Sequence, residues 1–329
     1  MKRRSFIHSA TLGLVGASMV APHTAFDIAP QPWSCTRRQQ GKSIKVLLDE
    51  VVKPFKIMQV SDSHISCDSD ADQSYEKYSA RMAHAFAKQR HCKTGEMVSP
   101  IEAFAALMDL AVEERVDLIA LTGDIVNYPS ATAVEKVTAL VKKTNIPHLY
   151  TAGNHDWHYE GMSGSMEDLR KHWIAERLMP LYSSNQTRCS STVCNGINIV
   201  TLDNSIYQIG ADQLQFYKQQ IEKGLPMLLM VHIPLYMPSM NIITTGNPTW
   251  GWDTDQNYAL ERRVRWPKSG NTSVTNDFLK IVYNTPKLVG IFAGHHHEDY
   301  TVNTGNNIQF VAGPAFNGEY RMIELAPKY

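Results

Sequence analysis

No run of 18 or more apolar residues passes uninterrupted through this 329-residue sequence, which argues against a polytopic membrane protein. Charge of either sign is not in excess, with Lys+Arg 32 and Asp+Glu 32. A neutral chain has no general electrostatic drive toward nucleic acid or acidic lipid, and no nucleic-acid-binding module is recognisable in it. Neutrality does not exclude a phosphate substrate, because bound metal supplies positive charge locally. Cysteine is scarce: Cys35, Cys67, Cys92, Cys189 and Cys194, with no Cys-x-x-Cys. No spacing therefore reads as zinc, and five is odd, so at least one thiol is left over. Cys67 with Cys92 is a pairing that closes one loop. Cys189 and Cys194 precede Asn195-Gly196, a hairpin-turn signal. On one extended strand they stand about 17 Å apart, beyond bonding range. Repeats and low-complexity tracts are missing too. What remains is 43% hydrophobic and 19% charged, the balance of a folded chain with ample core volume.

The N-terminus reads as a separate object. Met1-Lys2-Arg3-Arg4 is a short basic start, followed by a weakly apolar stretch from Phe6 to Ala21, Pro22, and a small residue, Ala25, suited to cleavage. That is the layout of a secretory signal over 1–25. Arg3-Arg4-Ser5-Phe6-Ile7 also resembles the twin-arginine export signal. Export to a bacterial periplasm or beyond is the expectation. Without residues 1–25 the chain has 29 basic and 32 acidic residues, a formal −3. Residues 26–52 read as a linker and an opening strand, and 53–329 as a single domain.

That domain alternates strands and helices. Phe55 to Val60, Leu118 to Leu121, His148 to Ala152, Ile197 to Leu202, Met227 to Val231, Leu288 to Ala293 and Ile308 to Val311 read as buried strands by their continuous apolarity. Ser99-Pro100-Ile101-Glu102 is a capping box with proline at the first helical position. Ile101, Phe104, Leu107, Met108 and Ala111 then repeat at helical spacing. Ala133 to Lys143 and Ala211 to Lys223 read as further helices, the second ended by Gly224. The pattern is α/β around one core. Two segments stand apart: a polar insert at 66–98, and a surface insertion at about 238–276 that carries Trp250, Trp252 and Trp266.

The chemistry-bearing residues sit where these strands end. Five motifs each follow an apolar strand: Asp62-Ser63-His64, Gly123-Asp124, Gly153-Asn154-His155-Asp156, His232, and Gly294-His295-His296-His297. If the tails stay extended, Asp62 and His64 share a face, and so do His295 and His297, with His296 turned away. Ligands collect at the carboxyl ends of strands in α/β sheets. Carboxylates, imidazoles and one amide oxygen converging there describe a transition-metal site. Asp62, His64, Asp124, Asn154, His232, His295 and His297 are too many for one ion. Two ions sharing a carboxylate roughly 3.5–4 Å apart fit them, which is the arrangement of two-metal phosphoryl chemistry.

In that order these motifs resemble the calcineurin-like metallophosphoesterases, from residue 55 to about 312. The resemblance implies a four-layer fold, two facing β-sheets flanked by helices. It implies two transition-metal ions drawn from Fe, Mn, Zn or Co. One would be held by Asp62, His64, Asp124 and His297, the other by Asp124, Asn154, His232 and His295, with Asp124 bridging. It gives His155 the role of general acid beside the leaving oxygen, Asp156 the role of orienting or charging His155, and a hydroxide between the ions the in-line attack on phosphorus. The substrate would be a small phosphate ester.

Within that group, purple acid phosphatases usually replace the first-motif histidine and place a tyrosine three residues after the bridging aspartate. Here His64 is kept and that offset holds Asn127. The pattern looks more like the cyclic-nucleotide and glycerophosphodiester phosphodiesterases, so diesters are the expected substrates. A phosphomonoesterase is the nearest rival, and a lipid-headgroup phosphodiesterase another. A recognition protein that has lost catalysis is the rival of a different class, and the complete ligand set with His155 speaks against it. For substrate contact, Asn127, Trp250, Trp252, Arg262 and Arg263 are the candidates, the aromatics for stacking and the arginines for phosphate.

Overall fold

The computed structural model describes residues 35–51, 53–183, 186–236, 271–303 and 307–328. The expected export signal, and Trp250, Trp252, Arg262 and Arg263 of the 238–276 insertion, lie outside the described residues. The chain opens on an antiparallel hairpin, β1 (Thr36–Gln40) and β2 (Ser43–Leu48), where the sequence pointed to a linker and one strand. After β3 (Phe55–Val60), the 66–98 insert folds into a short helix, α1 (Glu76–Met82), and a two-stranded ribbon, β4 (Gln89–Arg90) with β5 (Met97–Val98). Helix α2 (Pro100–Glu113) starts on the expected box: Ser99 Oγ accepts from the Glu102 N–H, and Glu102 Oε2 accepts from the Ser99 N–H at 2.9 Å. Then come β6 (Leu118–Thr122), α3 (Ala131–Lys143), β7 (His148–Thr151), α4 (Met166–Trp173) and α5 (Met179–Tyr182). The second half contributes β8 (Cys189–Cys194), β9 (Ile197–Leu202), α6 (Ala211–Glu222), β10 (Met227–Met230), α7 (Ser273–Tyr283), β11 (Leu288–Ala293), β12 (Tyr300–Asn303), β13 (Ile308–Val311) and β14 (Arg321–Pro327). Helix α7 begins inside the span read as a surface insertion: Phe278, Leu279 and Val282 repeat at helical spacing and bury one face.

Two large sheets result, flanked by helices, as the sequence implied. One has the order β1-β2-β14-β3-β6-β7, the other β12-β13-β11-β10-β9-β8. The central pairs, β3 with β6, β6 with β7, β9 with β10, β10 with β11 and β11 with β13, are parallel, and the antiparallel strands β8 and β12 close the second sheet's edges. Burial on both faces explains why the central strands read as unbroken apolar runs. Met58, Val60, Ile119 and Leu121 pack with Phe104, Leu107, Val134 and Val137 of α2 and α3. On the other sheet, Leu229, Val231 and Ile291 pack with Tyr217 of α6 and Phe278 and Val282 of α7. Gln59 of β3 donates across to Ala293 O of the other sheet's β11 and, within its own sheet, to Thr122 Oγ1 of β6, each at 3.0 Å. That side chain ties β3, β6 and β11 together just short of the motifs. Among the described residues, no helix is long and apolar enough to cross a membrane.

All five cysteines are free, so Cys67 and Cys92 are not joined. The Cys92 N–H is engaged by Asn317 O at 2.9 Å, and its thiol sits beside Lys42 Nζ at 3.3 Å. Cys189 and Cys194 occupy the two ends of β8, as their separation required.

Candidate metal centre

The strand ends do not stay extended. Asp62, His64, Asp124, His295 and His297 all have positive φ, between 44° and 70°. Left-handed backbone is costly for such residues and persists where the surroundings over-determine it. The expected alternation of an extended tail is therefore not what brings Asp62 and His64 together. The turn after β3 is instead zipped onto the turn after β6. The N–H groups of Asp62, His64 and Ile65 donate to Gly123 O, Asp124 O and Ile125 O, at 3.0, 2.9 and 3.1 Å. The glycine before the last motif is steric in origin. A Cβ on Gly294 would stand 1.8 Å from Ser61 Oγ and 2.4 Å from Asp62 Oδ2.

The folded turns gather the titratable groups. Ligand atoms of Asp62, His64 and His297 lie within 4.8 Å of one another, and so do those of Asp124, His232 and His295. A third such group joins His64, Asp124 and His155, linking the first two through Asp124. Asp62, His64, Asp124, Asn154 and His232 are each at most 1% exposed. Three buried atoms there have no hydrogen-bond partner: Asp62 Oδ1, Asn154 Oδ1 and His232 Nε2. His232 Nε2 does approach Asp124 Oδ2 at 3.2 Å, without the alignment of a hydrogen bond. His64 Nε2 and His297 Nε2 face each other at 3.0 Å. Two imidazole nitrogens head to head, beside orphaned oxygens, are what a shared cation would satisfy. The donor set of imidazoles, carboxylates and an amide oxygen suits transition metals.

Each ring is oriented from behind. His232 Nδ1 pairs with Thr122 O at 2.9 Å and His155 Nδ1 with Asn127 O at 3.2 Å, which places a proton on Nδ1 and leaves Nε2 for the site. Asn127 donates its amide to Ser66 Oγ and Met82 O, so its Oδ1 faces His64 Nδ1 at 3.3 Å. The sequence reading put Asn127 at the substrate. It is fully buried instead, and it orients His64 with its side chain and His155 with its carbonyl. Asn204, which the sequence reading missed, accepts from the His232 and Ile233 N–H groups at 3.2 and 3.0 Å and fixes the turn after β10. The signal available was its place directly after a buried strand. His296 turns away, as expected, and pairs with Tyr300.

Asp156 holds a different post from the one expected. Its Oδ2 accepts from the N–H groups of Asp124 and Gly153, at 2.9 and 2.7 Å, and its Oδ1 from Val126 at 2.9 Å. The carboxylate pins the β6 and β7 turns to each other, and His155 is instead oriented by Asn127 O. The reason is spatial: the turn puts residue 156 under the backbone of 124–126, while residue 155 faces outward.

Burial and charge pull against each other here. Burial raises a carboxyl pKa, yet the His232 and His155 imidazoles hold Asp124 well below its usual range. Burial lowers His232, but the Asp124 and Asp62 charges outweigh it and lift the ring to about 9. Around His64 burial dominates, despite Asp124, and brings it down to about 4. Burial, with the Asp124 charge second, pushes Asp156 up to about 7.

The post assigned to Asp156 makes a prediction. In Asp156→Asn an amide N–H must face at least one backbone N–H. The variant should lose roughly 1–3 kcal/mol of unfolding free energy, read by urea denaturation of the metal-free protein. Unchanged stability would mean that the carboxylate does not hold the turns.

Known proteins can now be set beside this geometry. The family model described as calcineurin-like phosphoesterase matches residues 55–299. No curated protein matches the sequence. Among solved structures, the chain is similar to a dimetal phosphatase from Danio rerio, at 11% identity and TM-score 0.49, covering 82% of this chain and 91% of that one. It is also similar to a purple acid phosphatase from yellow lupin, Lupinus luteus, at 12% identity and TM-score 0.50, covering 84% of this chain and 46% of that one. At such identities the likeness is one of fold. The family match and the clustered ligand groups together indicate a dimetal centre. The chain belongs to the calcineurin-like phosphoesterase family and is a metal-dependent hydrolase of phosphate esters.

Proposed function

We propose that this protein is an exported phosphodiesterase. The observation that carries the catalytic reading is the set of buried, unpartnered atoms, Asp62 Oδ1, Asn154 Oδ1 and His232 Nε2, in the same pocket as the facing His64 and His297 nitrogens. In this reading Asp62, His64 and His297 hold one ion, Asn154, His232 and His295 the other, and Asp124 lies between them. Two dications bound there lower the pKa of water and neutralise charge on phosphoryl oxygens.

The chain's own groups do the rest. Asp62 and Asp124 keep their charge against burial, so they bind cations without first losing a proton. His155 is half-buried, and its Nδ1–H is held by Asn127 O, so Nε2 is the atom that carries a proton to a leaving oxygen. The His155 N–H donates to Asp124 Oδ1 at 2.7 Å, which fixes the ring's position relative to the ligand it neighbours.

The preference for diesters is supported by charge. The ion pairs within the described site are made by histidines alone, with no lysine or arginine among them. A singly charged diester asks for less positive charge than a doubly charged monoester. The retained His64 and the Gly-Asn-His-Asp sequence favour the same choice. Export rests on residues 1–25, the basic start, apolar stretch and small residue suited to cleavage.

Four measurements test this. The Mn²⁺-loaded protein should hydrolyse bis(p-nitrophenyl) phosphate with a kcat/KM well above that for p-nitrophenyl phosphate. The reverse preference would make it a phosphomonoesterase. Asp124→Asn should cut metal content toward one ion per chain or fewer by elemental analysis. His155→Ala should keep both ions and turn over about 10²–10⁴-fold more slowly. Loss of metal in the second variant would assign His155 to the ligand set instead. For export, replacing Arg3 and Arg4 by lysine should leave the protein unprocessed inside the cell, as read by fractionation and N-terminal sequencing. Unaltered processing would remove the twin-arginine reading.

A further inference from the structure

The 66–98 insert is the part of the chain that the mechanism does not use, and it delivers one side chain to the site. The Phe86 ring stacks on His64, with centroids 4.0 Å apart and planes at 21°. Phe316, from the turn before β14, lies alongside at 5.1 Å and 29°. His297 meets Phe86 edge-on at 5.4 Å and Phe316 at 5.1 Å. The His155 ring stands edge-on to Phe86 at 6.2 Å.

Both ends of the arch that carries Phe86 are fastened. Asn127 Nδ2 donates to Met82 O at 2.9 Å, so the residue that orients His64 also holds the start of the arch. At the far end the Cys92 N–H donates to Asn317 O at 2.9 Å, and His91 Nε2 would stand 2.4 Å from a Cβ on Gly318. Phe316 is itself fixed, its N–H donating to Asp62 O at 3.1 Å. Phe86 is half-buried, while Phe316 is 8% exposed. An aromatic ring half-open to solvent at a pinned position is a surface kept available.

We propose that Phe86 is a specificity-determining residue, forming with Phe316 an aromatic wall for the leaving group of an anionic phosphate ester whose leaving group is a planar aromatic. The inference rests on the phosphoesterase reading of the site. His155 addresses the leaving oxygen, so the group attached to that oxygen is adjacent to His155. The Phe86 centroid stands 6.2 Å from the His155 ring, so a planar group attached at that oxygen comes within the 4.5–7 Å over which aromatic rings attract one another. Stacking is tolerant of ring type, so the wall selects a chemical class and not one compound.

The test separates this role from simple packing on His64. Phenylphosphonate and methylphosphonate, which are not hydrolysed, are titrated into the full Mn²⁺-loaded chain by calorimetry. The wild type should bind the phenyl compound about tenfold more tightly, the upper range of an aromatic pair. In Phe86→Ala the ratio should fall to about one. In Phe86→Leu, which keeps bulk and fold but removes the π face, it should fall below about threefold. A packing role alone weakens both ligands together and leaves the ratio in place. Equal affinities in the wild type, no phenylphosphonate binding, or an unaltered ratio in both variants would overturn the inference. Failure of the phosphoesterase reading shows itself differently, as absent turnover of both nitrophenyl esters with the binding ratio intact.

Discussion

Everything in this structure is arranged around two buried carboxylates, Asp62 and Asp124, which keep their negative charge where burial opposes it. A charge in a protein interior is tolerated only with partners. Here the partners are imidazoles, and their arrangement is incomplete by itself: oxygens and a nitrogen remain orphaned, and two Nε2 atoms confront each other. The pocket is built as half of an electrostatic structure whose other half is cationic. That single constraint accounts for the left-handed turns, for the glycines that precede the motifs, and for the carbonyls that fix each ring.

The scaffold meets the constraint by bringing two sheets face to face. Hydrogen bonds from Gln59 to Ala293 O of β11, and from His232 to Thr122 O, cross between sheets at the level of the motifs. Asp156 performs the same task within the first sheet by collecting three backbone N–H groups. These buried polar atoms are satisfied, in contrast to the ligand atoms beside them. The contrast separates groups that hold the site from groups that act in it.

Much of this was legible. The central strands are apolar on both faces because both faces are covered, and continuous apolarity is the simplest signal a sequence offers. The α2 capping box was visible because its two hydrogen bonds are local. The weaker elements escaped: β12 has no buried residue, β14 mixes Arg321 and Glu324 into its apolar run, and α4 and α5 pack through a few aromatics. Asn127 and Asp156 were identified as important, but their hold on His64 and on the backbone of the turns was not foreseen. Spacing along a chain says which residues leave a strand together. It does not say which of them turn inward, since that depends on backbone φ, which a residue three strands away can dictate.

By itself the sequence determined the family, the order of the motifs, the candidate ligands and the positions of most central strands. All of these follow from residue type and short-range period. The tertiary structure decided the posts: Asn127 behind His64, Asn204 behind His232, Asp156 beneath the turns, and Phe86 over the first ligand. Those pairings join residues 22 to 63 positions apart. Such contacts are set by the zipping of one turn onto another and by where an insert is fastened, and no local pattern encodes either.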